Sequence, residues 1–294
     1  MTCPHGCKPA IIGQVERNGA LDSMKGRRSR LVLLLALLAA LTACSTVGSE
    51  EPVPTVARLD TLPTAIFLTE HAPPAGYDRV TFDPIDARLQ DRQGWRYMVT
   101  GRFEGTYDAT GEPANGVLDL SVQVDALGEA RRVVLRVEGG ALSPDDDPRR
   151  LEGVRLSNDY YIVDTNGVCS AGGDNASVIA DLSAGQIVGG VSQALPTGHQ
   201  DTINDVPVWQ YTFTPDNVRL PAIHLDEDSF VSVDADLWIA PTYNAVLRYD
   251  LTVTTRGVRI LSGSEPVSGI LTLRYELDVP SLDTRPNISI PNGC

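Results

Sequence analysis

The chain has 294 residues, 38 of them acidic and 24 basic, with a formal net charge of −14 and four histidines. So acidic a body repels nucleic acid and anionic lipid surfaces, which excludes a charge-matched nucleic-acid partner. Lys8 and Lys25 are the only lysines, so everything after residue 25 lacks the amine for Schiff-base or P-loop chemistry.

Residues 1–43 read as a start-site extension followed by a signal peptide. Met24-Lys25-Gly26-Arg27-Arg28 is the natural beginning, and the basic n-region Lys25, Arg27, Arg28 and Arg30 precedes an apolar run from Leu31 to Leu41. That run is far short of the ~20 residues of a spanning helix. It ends in Leu41-Thr42-Ala43-Cys44, the form of a bacterial lipobox. Cys44 is therefore the expected lipidation site and mature N-terminus, carrying a diacylglyceryl thioether and a palmitate-type acyl chain. Several acyl chains, at about 0.8 kcal/mol per buried CH2, hold a protein on a membrane. The expected address is extracytoplasmic and membrane-anchored, at the cell surface or on the periplasmic side of the envelope. Cys3-Pro4-His5-Gly6-Cys7 has zinc-ligand residue types but no second pair nearby, so no metal is expected there. Six basic and two acidic residues fall within 1–43, which leaves eighteen against thirty-six and a charge of −18 beyond it.

Residues 44–72 are the expected lipidated N-terminus and tether, small, polar and proline-bearing over 45–60, with a short apolar stretch from Leu62 to Leu68. About sixteen flexible residues reach on the order of 20 Å. Ala72-Pro73-Pro74-Ala75-Gly76 then punctuates the entry to one globular domain over 73–294, long enough to bury a core.

In that domain the apolar period is two. Leu118, Leu120, Val122 and Val124 alternate with polar residues, and Val133, Leu135 and Val137 alternate with Arg132, Val134 and Arg136. The same holds for Trp209, Tyr211 and Phe213, for Leu247, Tyr249, Leu251 and Val253, and for Leu271, Leu273, Tyr275, Leu277 and Val279. Each segment predicts a half-buried strand. Turn chemistry is expected at Ala109–Pro113 and at Arg256-Gly257. Helix is scarce: the best candidate is Ser183–Val188, with Ser183 as N-cap and Gly189-Gly190 as terminator, and a preceding turn over Ala176–Leu182. The fold class is mainly β (β-rich α+β), a large curved antiparallel sheet with a few short helices. Strands, a helical plug, then strands favour a half-barrel over a sandwich. A concave apolar sheet makes a natural acyl-chain cavity.

Beyond the lipidated position two cysteines remain, Cys169 and Cys294, and in an exported protein one disulfide between them is expected. The rival is Cys169 as nucleophile with His199 as base. There is no Gly-x-Ser-x-Gly, His-Glu-x-x-His or Gly-x-Gly-x-x-Gly pattern, so no enzyme activity and no cofactor are expected. His199-Gln200-Asp201, His224 with Asp226-Glu227-Asp228, and Asp145-Asp146-Asp147 are oxygen- or nitrogen-rich, but none has an EF-hand spacing, and exposed turns are the favoured reading.

Two stretches carry a family resemblance: Asn204-Asp205-Val206-Pro207 leading into Trp209–Phe213, and Asp236-Leu237-Trp238-Ile239-Ala240 leading into Val246-Leu247-Arg248-Tyr249. With the lipobox and tether they make the chain resemble the mycobacterial LppX/LprG lipoproteins, within the wider LolA/LolB-like half-barrel group, over about residues 77–279. The resemblance implies a half-barrel that carries lipids or lipoglycans in an apolar pocket. The expected cavity lining is Leu118, Leu120, Trp209, Tyr211, Phe213, Leu247, Tyr249, Leu251 and Leu273. The alternative is a structural or protein-interaction lipoprotein whose core is filled by its own side chains. Either is expected to be a monomer.

Overall fold

A computed structural model describes residues 72–144 and 148–294, all within one compact unit, Arg58–Cys294. Cys44, the signal peptide, the tether, His71 and Asp145–Asp147 lie outside the described residues.

Thirteen strands form one open antiparallel sheet: β1 (Val80–Phe82), β2 (Gly94–Tyr107), β3 (Pro113–Asp125), β4 (Ala130–Glu138), β5 (Arg149–Leu156), β6 (Asp159–Val163), β7 (Cys169–Ala171), β8 (Gly190–Ile203), β9 (Val206–Thr212), β10 (Val218–Arg219), β11 (Ile223–Ala240), β12 (Ala245–Ile260) and β13 (Val267–Leu277). The spatial order is β1-β8-β9-β11-β12-β13-β2-β3-β4-β5-β6-β7, with β10 paired to β8. Period-two sequences put one apolar row on one face of every central strand. Register aligns these rows: Leu271, Leu273, Tyr275 and Leu277 of β13 stand opposite Phe103, Gly101, Val99 and Tyr97 of β2. Leu118, Leu120 and Val122 of β3 continue the rows to Val137, Leu135 and Val133 of β4. We call this the inner face.

Two inserts cover the inner face. The first, residues 83–93, joins edge strand β1 to β2, six places away in the sheet, and contains a 3-10 turn, Ala87–Asp91. At about 4.8 Å per strand a flat sheet would separate these strands by roughly 29 Å, so eleven residues that also coil require the sheet to curl. The second runs through α1 (Asp174–Ala180) and a 3-10 turn, Ala184–Gln186. Ile85, Leu89, Ile187 and Val188 bury their side chains in the same cluster as the inner face, and the Ile85 amide donates to Gly189 O at 2.9 Å. The inserts thus form one plug.

Three local expectations differ from the structure. The α-helix is Asp174–Ala180, whereas Ser183–Val188 holds only the 3-10 turn, with Gln186 Oε1 accepting from the Ser183 amide. The Val188 amide closes a single four-residue bond to Ala184 O at 2.8 Å before Gly189, at φ +70°, ends the segment. Arg256-Gly257 is no turn: it is a bulge inside the continuous strand β12, where Gly257 takes φ +67° and the pairing shifts between Thr255 and Val258. Asp226-Glu227-Asp228 likewise sits in a bulge of β11, between Leu225 and Phe230. The two bulges face one another and are tied by Arg259 to Asp226 and by Ser229 Oγ donating to Gly257 O.

Cys169 and Cys294 are joined in a disulfide across a separation of 125 residues, with Cα atoms 5.3 Å apart. The tail passes Gly94, where Pro286 packs, and Asp125, which Arg285 holds, before reaching Cys169. By register all three lie on the outer face. The bridge therefore straps the tail across the outside of β3–β7, and no free thiol remains for a Cys169 nucleophile. His199 stacks edge-on to Trp238 instead, with ring centroids 5.7 Å apart.

Candidate functional site on the inner face

The residues expected to line a cavity do share the inner face. Leu251 stands opposite Leu273, Tyr249 opposite Tyr275, and Leu237 opposite both Tyr249 and Tyr211. Leu118, Leu120, Tyr211, Leu247, Tyr249 and Leu251 are each at most 2% exposed. Trp209 and Leu273 are buried at 8% and 4%, and Phe213 is half-buried just past the end of β9. A water-sized sphere finds almost no surface on this set, so the plug and the opposing side chains fill the inner face in this state. Among the described residues these side chains are packed against one another and the plug, with almost no exposed surface. The hollows among the described residues include two adjoining troughs on the outer face, about 440 and 600 Å3, lined mostly by polar residues and sharing Thr100 and Arg274. Their guanidinium groups are engaged: Arg274 by Asp250, Arg96 by Asp278, Arg102 by Glu104.

What distinguishes the inner face is its tyrosines. Tyr97, Tyr275, Tyr249 and Tyr211 cross it in sequence, with the Tyr97 and Tyr275 ring centroids 5.2 Å apart and Phe213 edge-on to Tyr249 at 6.1 Å. The outer two are hydrogen-bonded, Tyr97 to the plug and Tyr211 to the segment that precedes β1. Tyr97 Oη donates to Asp86 Oδ2 at 2.8 Å and accepts from the Ala184 amide at 3.0 Å, touching both inserts. Tyr211 Oη donates to Tyr77 O at 2.8 Å. The middle two, Tyr249 and Tyr275, have buried hydroxyls with no hydrogen-bond partner among the described residues. Desolvation pushes all four phenols up, Tyr211 to about 12 and Tyr97, Tyr249 and Tyr275 well above the ordinary phenol value, so each keeps its proton at physiological pH. A buried hydroxyl without a partner costs about 1–3 kcal/mol, and two neighbouring ones are an expense that phenylalanine would avoid.

Tyr249 belongs to the expected lining; Tyr97 and Tyr275 do not. Their signal was present in the alternation Trp95, Tyr97, Val99 and in Leu273, Tyr275, Leu277, but an apolar-lining criterion selects leucine and overlooks the phenol. Among the described residues no three His, Cys, Asp or Glu side chains gather as a metal site, and no helix is long and apolar enough to cross a membrane.

No family model matches the chain, and no curated protein matches it. Several solved structures are similar. A conserved protein of unknown role from Thermus thermophilus is 11% identical, with a TM-score of 0.26, over 77% of this chain and 90% of that one. A LolA superfamily protein from Nitrosomonas europaea is 10% identical, with a TM-score of 0.23, over 69% and 95%. A protein described as an outer membrane lipoprotein-sorting protein domain, from Vibrio parahaemolyticus, is 7% identical, with a TM-score of 0.20, over 62% and 83%. The LolA superfamily is the wider group that the sequence resembles; the narrower LppX/LprG branch is not shown. Overlaps of this size carry no weight on function, which rests on the inner face itself.

Proposed function

We propose that the chain is an envelope lipoprotein, anchored through Cys44, that binds an acyl-ester lipid against the inner face of its sheet, and that the described state is the closed one. The carrying observation is the pair of partnerless hydroxyls on Tyr249 and Tyr275. They sit under a cover made of two loop inserts rather than of a second sheet. An ester carbonyl would accept from both phenols, while the surrounding Leu247, Leu251 and Leu273 bury the chain at about 25 cal/mol per Å2. The inserts must lift to admit it. Polar ties hold them to the sheet and its turns, among them Tyr97 to Asp86 and Ala184, Arg88 to Asn244, Arg92 to Tyr243 O, Arg131 to Leu182 O and Arg155 to Asp181, and these must yield when the inserts lift.

The near-zero exposure of the lining favours a second reading, an interaction lipoprotein whose inner face is permanently filled. Tyr249→Phe and Tyr275→Phe, singly and together, separate the two. On the carrier reading the double variant melts at or above the parent temperature, because two uncompensated hydroxyls are gone. Its affinity for a monoacylglycerol, measured by tryptophan-fluorescence titration, falls about tenfold, the equivalent of one net hydrogen bond. On the filled-core reading the parent shows no saturable binding. A lowered melting point in the double variant would contradict the assignment of these hydroxyls to a ligand.

A further inference from the structure

A cleft of about 480 Å3 opens where the inner face meets the plug, at the ends of β2, β3, β4 and β5. Its floor is apolar: Trp95, Val124 and Ala130 are buried there. Gln90 of the first insert closes one side, and Arg131 and Arg155 stand on another. Those two arginines face each other directly across β4 and β5. Like charges in direct opposition destabilise a sheet, so the pairing calls for compensation.

Arg155 has it, donating to Asp181 Oδ1 at 2.5 Å. Arg131 does not. Its terminal nitrogen donates to Leu182 O at 2.6 Å, a neutral carbonyl, and its Nε is buried with no partner. It forms no ion pair with a described residue. The nearby Asp125 carboxylate is already held in two contacts by Arg285, which keeps its pKa below the usual carboxylate range. Glu129 is the remaining acid on the rim. In a strongly acidic chain, a half-buried guanidinium that makes no ion pair with a described residue, over an apolar floor, is the chemistry of an anion site with a hydrocarbon neighbour.

We infer that this cleft holds the phosphate or carboxylate head of an anionic amphiphile, bound by Arg131 and Arg155 at the mouth of the inner face. The inference rests on the acyl-ligand reading and adds the head group to it. Trp95 lies two residues along β2 from Tyr97, and Tyr97 leads directly to Tyr275. A ligand with an ester next to an anionic head thus meets the mouth and the central tyrosines in one pose. The same guanidinium chemistry would serve a free phosphate, and the two sources are separable.

The full chain with Cys44→Ser, which keeps it unlipidated, is titrated with oleoyl lysophosphatidate, with monoolein, and with inorganic phosphate. The parent is expected to prefer lysophosphatidate over monoolein by tenfold or more. Arg131→Gln with Arg155→Gln brings that ratio to about one. A ratio cancels any loosening of the plug from loss of the Leu182 contact, and Arg155→Gln alone, which leaves that contact intact, is expected to lower the ratio part-way. A parent ratio near one overturns the head-group site while leaving acyl binding in place. A high ratio that survives both substitutions overturns it equally. If neither lipid binds but phosphate does, and the double variant loses it, the site stands as a free-anion site and the acyl reading fails. Binding of none of the three overturns both.

Discussion

Replacing Cys169 and Cys294 by serine is expected to lower the free energy of unfolding by about 4–5 kcal/mol. The bridge closes a loop of 125 residues, and the chain-entropy model gives that magnitude for a loop of this length. The location adds to the reason. β7 is a three-residue strand at the sheet edge, and the tail strapped beside it is otherwise fixed chiefly by Arg285 on Asp125 and by Pro286 on Gly94. Freed of its strap, the outer surface of β5 and β6, where Val154 is fully buried although it faces outward, opens to water. Urea unfolding of the oxidised parent, the reduced parent and the double serine variant measures the effect. Reduction and substitution are expected to give the same shift, and reductant is expected to leave the serine variant unchanged. A shift under 1 kcal/mol would mean that the tail is held by its packing alone.

Gly153→Ala is the second large effect, expected at about 3 kcal/mol. Gly153 stands on the inner face of β5, opposite Val133, and α1 lies directly on it. A Cβ there would come within 2.6 Å of the Ala180 amide nitrogen and 2.8 Å of the Ile179 carbonyl carbon. These are backbone atoms, so no side-chain rotation relieves the contact. The helix must shift, and overpacking of that kind costs 1–3 kcal/mol or somewhat more. Val178→Ala on the exposed side of the same helix is the control and is expected to stay within 0.5 kcal/mol. Since α1 is the first half of the second insert, Gly153→Ala is also expected to speed amide exchange over residues 182–188. A thermally neutral Gly153→Ala would contradict the close seating of the helix on the sheet.

The large antiparallel sheet was legible because period-two alternation survives in the central long strands, from Leu118–Val124 to Leu271–Leu277; β8 and the first half of β11 lack it. The bulges were not. Arg256-Gly257 and Asp226–Asp228 have turn composition, and only the pairing of β11 with β12 on both sides of them shows that the strands run through. β5 to β7 were hidden for a related reason. Arg149-Arg150 and Cys169–Ala171 belong to a sheet margin, where burial comes from a helix on one side and a strapped tail on the other, and neither leaves a period in the strand itself. The lining residues were placed on the correct face but with the wrong emphasis. Hydrophobicity marks which side is inside; it does not say whether that side is hollow or filled. The informative positions are polar ones out of place, Tyr249, Tyr275 and Arg131, and their lack of partners is a tertiary fact. A sequence shows a tyrosine among leucines, but only the packed neighbours show that its hydroxyl has been left without a bond.

Whether the inner face opens to a lipid is read most directly by native mass spectrometry of the full Cys44→Ser chain, produced in a host with a bacterial envelope and sprayed from a detergent-free buffer. The account requires a co-purifying adduct of acyl-lipid mass that collapses in the Tyr249→Phe, Tyr275→Phe double variant. A single bare mass for both proteins, unchanged after incubation with excess lysophosphatidate, would show that the sheet encloses only its own side chains.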